Sequence, residues 1–106
     1  MTTDRELLEL AAKAAGLRVR TWDGHSGAMC AIDDDRHGLM WMPLTDDGDA
    51  LRLAVKTGEP FVVRSRCVTT MGGLMEDFDP AVSGDDLRAT RRAIVRAAAE
   101  IGKAMP

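Results

Sequence analysis

The chain opens with apolar positions at helical spacing. In "TDRELLELAAKAAGL", Leu7, Leu10, Ala11 and Ala14 share one face, which predicts an amphipathic helix. Thr3 is its candidate N-cap, with Glu6 three residues on in a capping-box pattern. Gly16 suits the left-handed position just past the helix end, and Leu17 can pack back across it. The period then changes. "RVRTW" and "AMCAI" are short, strand-compatible and separated by the turn-forming "DGHSG", which predicts an antiparallel hairpin. A second turn, "DDDRHG", leads to a short candidate strand, "LMWM".

Helical spacing returns in "ALRLAVKTG", where Ala50, Leu51, Ala54 and Val55 mark the inward face and Gly58 the stop. The stretch before it, "WMPLTDDGD", reads as a joint between strand and helix. Asp46 is placed to cap, Asp49 stands at N3 in a carboxylate version of the capping box, and Asp47 sits in the dipole-favoured first turn. Trp41 is expected to anchor the strand in the core, Pro43 to stiffen the bend and Leu44 to pack near the helix entrance. Three aspartates therefore need no ligand. Gly48 stays unexplained, because glycine in a first turn costs stability unless a close backbone approach requires it.

"PFVVRSRCVTTM" is the richest strand candidate, with beta-branched Val62, Val63, Val68, Thr69 and Thr70, and Pro60 at its edge. Residues 72–86 read as an irregular loop. Ser83 and Asp86 offer another capping box, opening a long final helix through "LRATRRAIVRAAAEIG". On it Leu87, Ile94, Ala98, Ile101 and Met105 line one side, and Arg88, Arg92 and Arg96 form an i, i+4 row on another. The order of elements predicts a single α+β domain over residues 1–106, with a short antiparallel or mixed sheet covered by about three helices. Periodicity leaves open whether the helices shield one face or both, and the adjacent valines of "FVVRSRCV" favour both.

Composition narrows the function classes. With two phenylalanines, two tryptophans, no tyrosine and seven methionines, the core is expected to use small and flexible side chains. A net charge of -3 gives no general basic footprint for nucleic acid. Cys30 and Cys67 stand in apolar surroundings as small buried hydrophobes, which suits a reducing, cytoplasmic compartment. No apolar run is long enough to span a membrane, and "MTTDRELLEL" carries acids where an export signal needs a basic start.

The candidate chemistry is sparse. Asp33, Asp35, His37 and Gly38 partly mimic a calcium loop, but its closing glutamate position is Leu44. No paired motif such as C-x-x-C or H-E-x-x-H accompanies His25, His37 and the cysteines, so no metal or cofactor is expected. A thiol enzyme would draw on Cys30 or Cys67 with His25 or His37. The arginines Arg88, Arg91, Arg92 and Arg96 could grip phosphate or an acidic protein surface. They could equally pair with nearby acids as a solvated helix face.

"RELLELAAKAAGL", "WMPLTDDGDALRLAVK" and "ATRRAIVRAAAEIGKAM" resemble the three blocks of the small bacteriophage and prophage proteins grouped as the phage ABA sandwich domain. In the middle block Trp41, Pro43, Leu44, Asp46, Asp47, Gly48, Asp49, Ala50 and Leu53 match the recurring pattern, whereas Met42 stands where a polar residue is more typical. In the last block the match runs over Ala89–Ala98, with Glu100 and Gly102, and "SGDDL" separates Pro80 from the helix. The resemblance implies a layered alpha-beta-alpha sandwich and a phage or prophage origin, and it carries no catalytic activity. The expectation is a non-enzymatic accessory protein that binds a host or phage macromolecule in the bacterial cytoplasm, with an anti-CRISPR-like inhibitor as one version. Arg88, Arg91, Arg92 and Arg96, or Met75 and Phe78 in the loop before them, would form the contact surface. A homodimer is compatible with this reading, nucleic-acid binding through the arginines is its rival, and no membrane partner is expected. Reversing Arg88, Arg92 and Arg96 to glutamate is expected to remove partner binding with the fold retained.

Overall fold

The computed structural model describes residues 3–21, 29–31 and 40–106. The first helix, α1 (Asp4–Ala14), begins where the Thr3 hydroxyl accepts the Glu6 N–H at 3.2 Å. It ends in a Schellman motif: Gly16 takes φ +71°, Leu17 N–H reaches the Ala12 carbonyl at 2.9 Å, and Gly16 N–H reaches that of Lys13 at 3.1 Å. Its buried residues are Leu8, Ala11, Ala12 and Ala15, with Leu7 and Ala14 packed at the margin. The inward face is thus turned slightly from the Leu7–Leu10 stripe of the sequence pattern.

Strands β1 (Val19–Thr21), β2 (Met29–Ala31) and β3 (Met40–Trp41) form an antiparallel meander, with Val19 opposite Ala31 and Met29 opposite Trp41. This is the expected hairpin plus the short strand from "LMWM". The turns "DGHSG" and "DDDRHG", with His25, His37 and the calcium-like aspartates, lie outside the described residues. Helix α2 (Asp47–Thr57) follows and stops at Gly58, φ +71°.

The segment read as one long strand is two. β4 (Phe61–Val63) and β5 (Cys67–Thr70) pair across a turn at residues 64–66, closed by Arg64 N–H on the Cys67 carbonyl at 2.8 Å. The turn lacks the Asn-Gly or Gly signals that usually announce a hairpin, so only the polar triplet Arg64-Ser65-Arg66 marks the break. The loop expected over 72–86 contains a third strand, β6 (Met75–Asp77), antiparallel to β5. The "MGG" run is the β5–β6 turn, with Gly73 at φ +89°. The fold is therefore a small α+β domain with, among the described residues, three helices and two short antiparallel three-stranded sheets.

Helix α3 (Asp85–Ala104) is the central element, packed against α1, α2 and all three strands of the second sheet. The capping box at Ser83 does not form. Gly84, in the left-handed region at φ +81°, is the N-cap and no side chain caps the helix. Asp85 instead turns back, accepting Asp79 N–H at 2.8 Å and fastening the approach from β6. Because α3 has neighbours on two sides, its buried residues extend well round it: Ala89, Ala93, Ile94, Val95, Ala97, Ala98, Ala99 and Gly102. Leu87 and Met105, placed inward by the sequence pattern, are exposed at the helix ends.

Two cores result. The larger gathers Leu8, Trp41, Leu53, Ile94 and Val95 with alanines of all three helices; the smaller sets Val68 against Ala89 and Ala93. Phe61 packs against both, and Phe78 against the smaller. The helices α1 and α3 meet so closely that a Cβ on Gly102 would stand 2.0 Å from the Leu10 carbonyl oxygen and 2.8 Å from its carbon. Both atoms are backbone and cannot rotate aside. Replacing Gly102 by alanine should cost about 2 kcal/mol, since overpacking outweighs the helix-propensity gain of about 1 kcal/mol. The expected readout is a Tm lower by roughly 10 °C in a circular-dichroism melt; an unchanged or raised Tm would refute the close contact.

Candidate interaction surface

The arginine row faces β6, and its guanidinium groups are held within the protein. Arg88 Nε donates to Asp85 at 2.6 Å and Nη2 to the Asp77 carbonyl at 3.2 Å. Arg92 reaches Asp4, at the start of α1, at 3.1 Å, and lies 3.7 Å from Glu76. Arg96 pairs with Glu76 and donates to the Met75 carbonyl at 3.3 Å. On another side of α3, Arg91 donates to the Leu44 carbonyl at 2.9 Å and to Asp47, in the first turn of α2, at 2.6 Å. The four arginines thus tie α3 to α1, α2 and β6. Each guanidinium meets a carboxylate, so the row presents mixed charge rather than a cationic stripe.

The carbonyls chosen by Arg88 and Arg96 follow from strand register. Thr70 N–H bonds the Leu74 carbonyl and Phe78 N–H that of Arg66, while Thr69 lies opposite Met75 and Cys67 opposite Asp77. In an antiparallel ladder this alternation turns the carbonyls of Met75 and Asp77 away from β5. They form the open edge of the sheet, and the arginines cap it. Met75 keeps an exposed side chain, whereas Phe78 is half-buried against the smaller core. Cys67 is a free, partly buried thiol on the sheet face away from Val68. The other residues of the thiol reading have no described side chains, so that constellation lies outside the described residues. Among the described residues no group of three or more His, Cys, Asp or Glu could hold a metal ion, and no helix is long and apolar enough to cross a membrane.

The joint before α2 is built on Asp49. Its N–H bonds the capping carboxylate of Asp46 at 2.8 Å. Its own carboxylate is buried and accepts Met42 N–H at 3.0 Å and Arg52 Nη2 at 2.8 Å. A capping box would return this carboxylate to Asp46 N–H, but here Asp46 N–H bonds the Met42 carbonyl at 2.8 Å, and Asp49 reaches back to the end of β3. At Gly48 an added Cβ would stand 3.1 Å from the Arg52 guanidinium, the end of a flexible, half-exposed side chain, so it would need only a small shift there and the glycine keeps no structural explanation. Trp41 and Pro43 are buried and Leu44 is half-buried against the larger core.

Sequence reasoning missed the apolar side of α2. Leu51 and Val55 were expected to face inward, but they are 60% and 75% exposed, while Ala50, Leu53 and Ala54 are buried. The spacing fits two adjacent stripes equally, and Leu53 decides between them. Beside Leu51 and Val55 runs a groove of about 400 Å³ floored by Ala15, Leu17, Trp41 and Leu53. Lys56 stands at its rim with no ion-pair partner among the described residues. Exposed apolar side chains beside an apolar groove mark a contact surface more specifically than the paired arginines do.

Comparison with protein-family models, with curated proteins and with solved structures gives no match for this chain.

Two outcomes follow from the arginine geometry. Reversing Arg88, Arg92 and Arg96 to glutamate sets carboxylates against Asp85, Asp4 and Glu76, so the expectation of a retained fold is replaced by one of destabilisation. A loss of about 2–3 kcal/mol is expected from partly exposed pairs turned repulsive, read as a lower urea midpoint; an unchanged midpoint would show the pairs to be incidental. The second outcome concerns Asp85. Its hydrogen bond from Arg88, then that from Asp79 N–H, holds its carboxyl below the usual carboxylate value, and the same pair raises the Arg88 pKa. A depressed folded-state pKa stabilises fully above the unfolded value of about 3.9, and the contribution disappears as pH falls through the folded value. A carboxyl 13C titration should place the Asp85 midpoint below the unperturbed value of about 3.9, and Arg88→Ala should move it upward.

Proposed function

We propose that this protein is a non-enzymatic accessory protein of phage or prophage setting that acts by binding a host or phage protein. The observation that carries the reading is the pair Leu51 and Val55, exposed one helical turn apart beside the groove floored by Leu17 and Trp41. Burying such a pair against a partner returns apolar area to a dry environment at roughly 25 cal/mol per Å². Lys56 at the rim, with no ion-pair partner among the described residues, favours a partner segment that combines apolar side chains with an acidic residue. The phage setting is supported by the resemblance of the three sequence blocks to the phage ABA sandwich domain. Occlusion of a host-defence protein, in the manner of an anti-CRISPR, is the form of binding that suits a small phage domain.

The test is affinity capture from bacterial cells with and without phage infection, comparing the wild type with a Leu51→Glu/Val55→Glu variant. Both side chains already face water, so the variant should keep its fold and its Tm. The wild type should retain a specific protein partner, and the variant should lose at least about tenfold in affinity, the scale of an interface hot spot. Equal capture by both would refute the α2 surface.

A further inference from the structure

The second sheet has two edges, and among the described residues only one is protected. At β6 the outward carbonyls of Met75 and Asp77 are taken by Arg96 and Arg88. At β4 the register sets Val62 opposite Thr69, between the bonds Arg64 N–H to the Cys67 carbonyl and Met71 N–H to the Pro60 carbonyl. Val62 therefore directs its backbone groups toward β5, and Phe61 and Val63 direct theirs outward. No hydrogen bond meets those outward groups among the described residues. The strand also lacks the usual guards. It holds no lysine, and Pro60 belongs to the set that faces β5, so it blocks nothing on the open side. Val62 and Val63 are each 52% exposed.

We infer that β4 is a homodimerisation edge, pairing antiparallel with β4 of a second copy across a two-fold axis at Val62. That axis sets Phe61 opposite the second copy's Val63, both with outward backbone groups, and each such pair exchanges both N–H···O=C bonds. The β4–β5–β6 sheets of the two copies then join into one continuous sheet. On its outer face the row Met75, Thr69, Val62 continues through the second copy's Val62 to its Thr69 and Met75, giving an unbroken strip of side chains. Charge favours the same direction. Glu59 precedes the strand and Arg64 follows it, and Arg64 has no ion-pair partner among the described residues. Antiparallel pairing brings each Arg64 toward the other copy's Glu59 end, whereas parallel pairing would bring like charges together. The Glu59 carboxylate is held in place by Gly72 N–H at 3.1 Å.

The edge is short, so the contact falls at the small end of specific interfaces and the dimer is concentration-dependent, with a Kd on the order of tens to hundreds of micromolar. Sedimentation equilibrium from about 10 µM to about 1 mM, a span chosen to bracket that range, should show the mass rising from monomer toward dimer. Val62→Glu and Val62→Lys each put like charges together at the axis, and each alone should weaken the dimer at least about tenfold. An equimolar mixture of the two should recover a heterodimer, which an unfolded or nonspecifically damaged variant would not do. Val63→Pro, which removes an outward N–H without touching the β5 ladder, should likewise yield a monomer with an unchanged circular-dichroism spectrum. A wild type that stays monomeric throughout, a charged variant that dimerises as well as the wild type, or a mixture that stays monomeric would each overturn the proposal. None of these outcomes bears on the α2 surface, whose capture test uses other residues.

Discussion

Where α1 crosses α3, the backbone of Gly102 lies so near the Leu10 carbonyl that no side chain fits between them. This contact sets the character of the whole domain. Two helices at that distance need small residues along the seam, and Ala11, Ala12, Ala15 and Ala98 line the larger core accordingly. A core made of alanines buries little area per residue, so the larger side chains are confined to a few places. Trp41 and Leu53 fill the end toward α2, while Val68, Phe61 and Phe78 fill the side toward the second sheet.

Placing α3 between other elements also governs its polar residues. With neighbours on two sides, the helix has narrow strips left for charge, and each strip runs beside another element. An arginine there has a carboxylate or carbonyl within reach almost by necessity, which is why the row is spent inside the molecule. The partners are well chosen physically. Asp4 and Asp47 lie in the first turns of α1 and α2, where the helix dipole already favours an acid. The carbonyls of Met75 and Asp77 would otherwise face solvent on a bare strand edge. Long arginines reach both, so one helix closes a sheet edge and, from two of its sides, orients two helix starts.

Legibility in the sequence depended on how local the signal was. The Thr3 cap, the Gly16 and Gly58 stops and the β1–β2 hairpin rest on residues a few positions apart, and all were readable. The β4–β5 turn and β6 were not, because the turn uses no glycine and β6 is a mixed Met-Glu-Asp triplet with no strand signature. Ser83 looked like a cap, yet Gly84 takes the left-handed conformation and puts the serine outside the helix. The arginine spacing was plain, whereas its partners lie as far away as Asp4, beyond any local rule. The groove was hidden for a related reason: Leu51 and Val55 have the spacing of an inward stripe, and only the position of Leu53 against the core turns them outward.

By itself, the sequence determined the class and the punctuation: one α+β domain, three helices, where most of them start and stop, and a small-residue core. Those properties come from backbone preference and side-chain period, which act within one or two turns of chain. The tertiary structure decided which stripe of each helix is buried, that the strand material makes two sheets, and that the arginines bind the fold together. It also decided which edge of the second sheet is left open among the described residues. Each of those outcomes depends on what stands opposite a residue in space, and the close seam at Gly102 is what brings the opposing elements there.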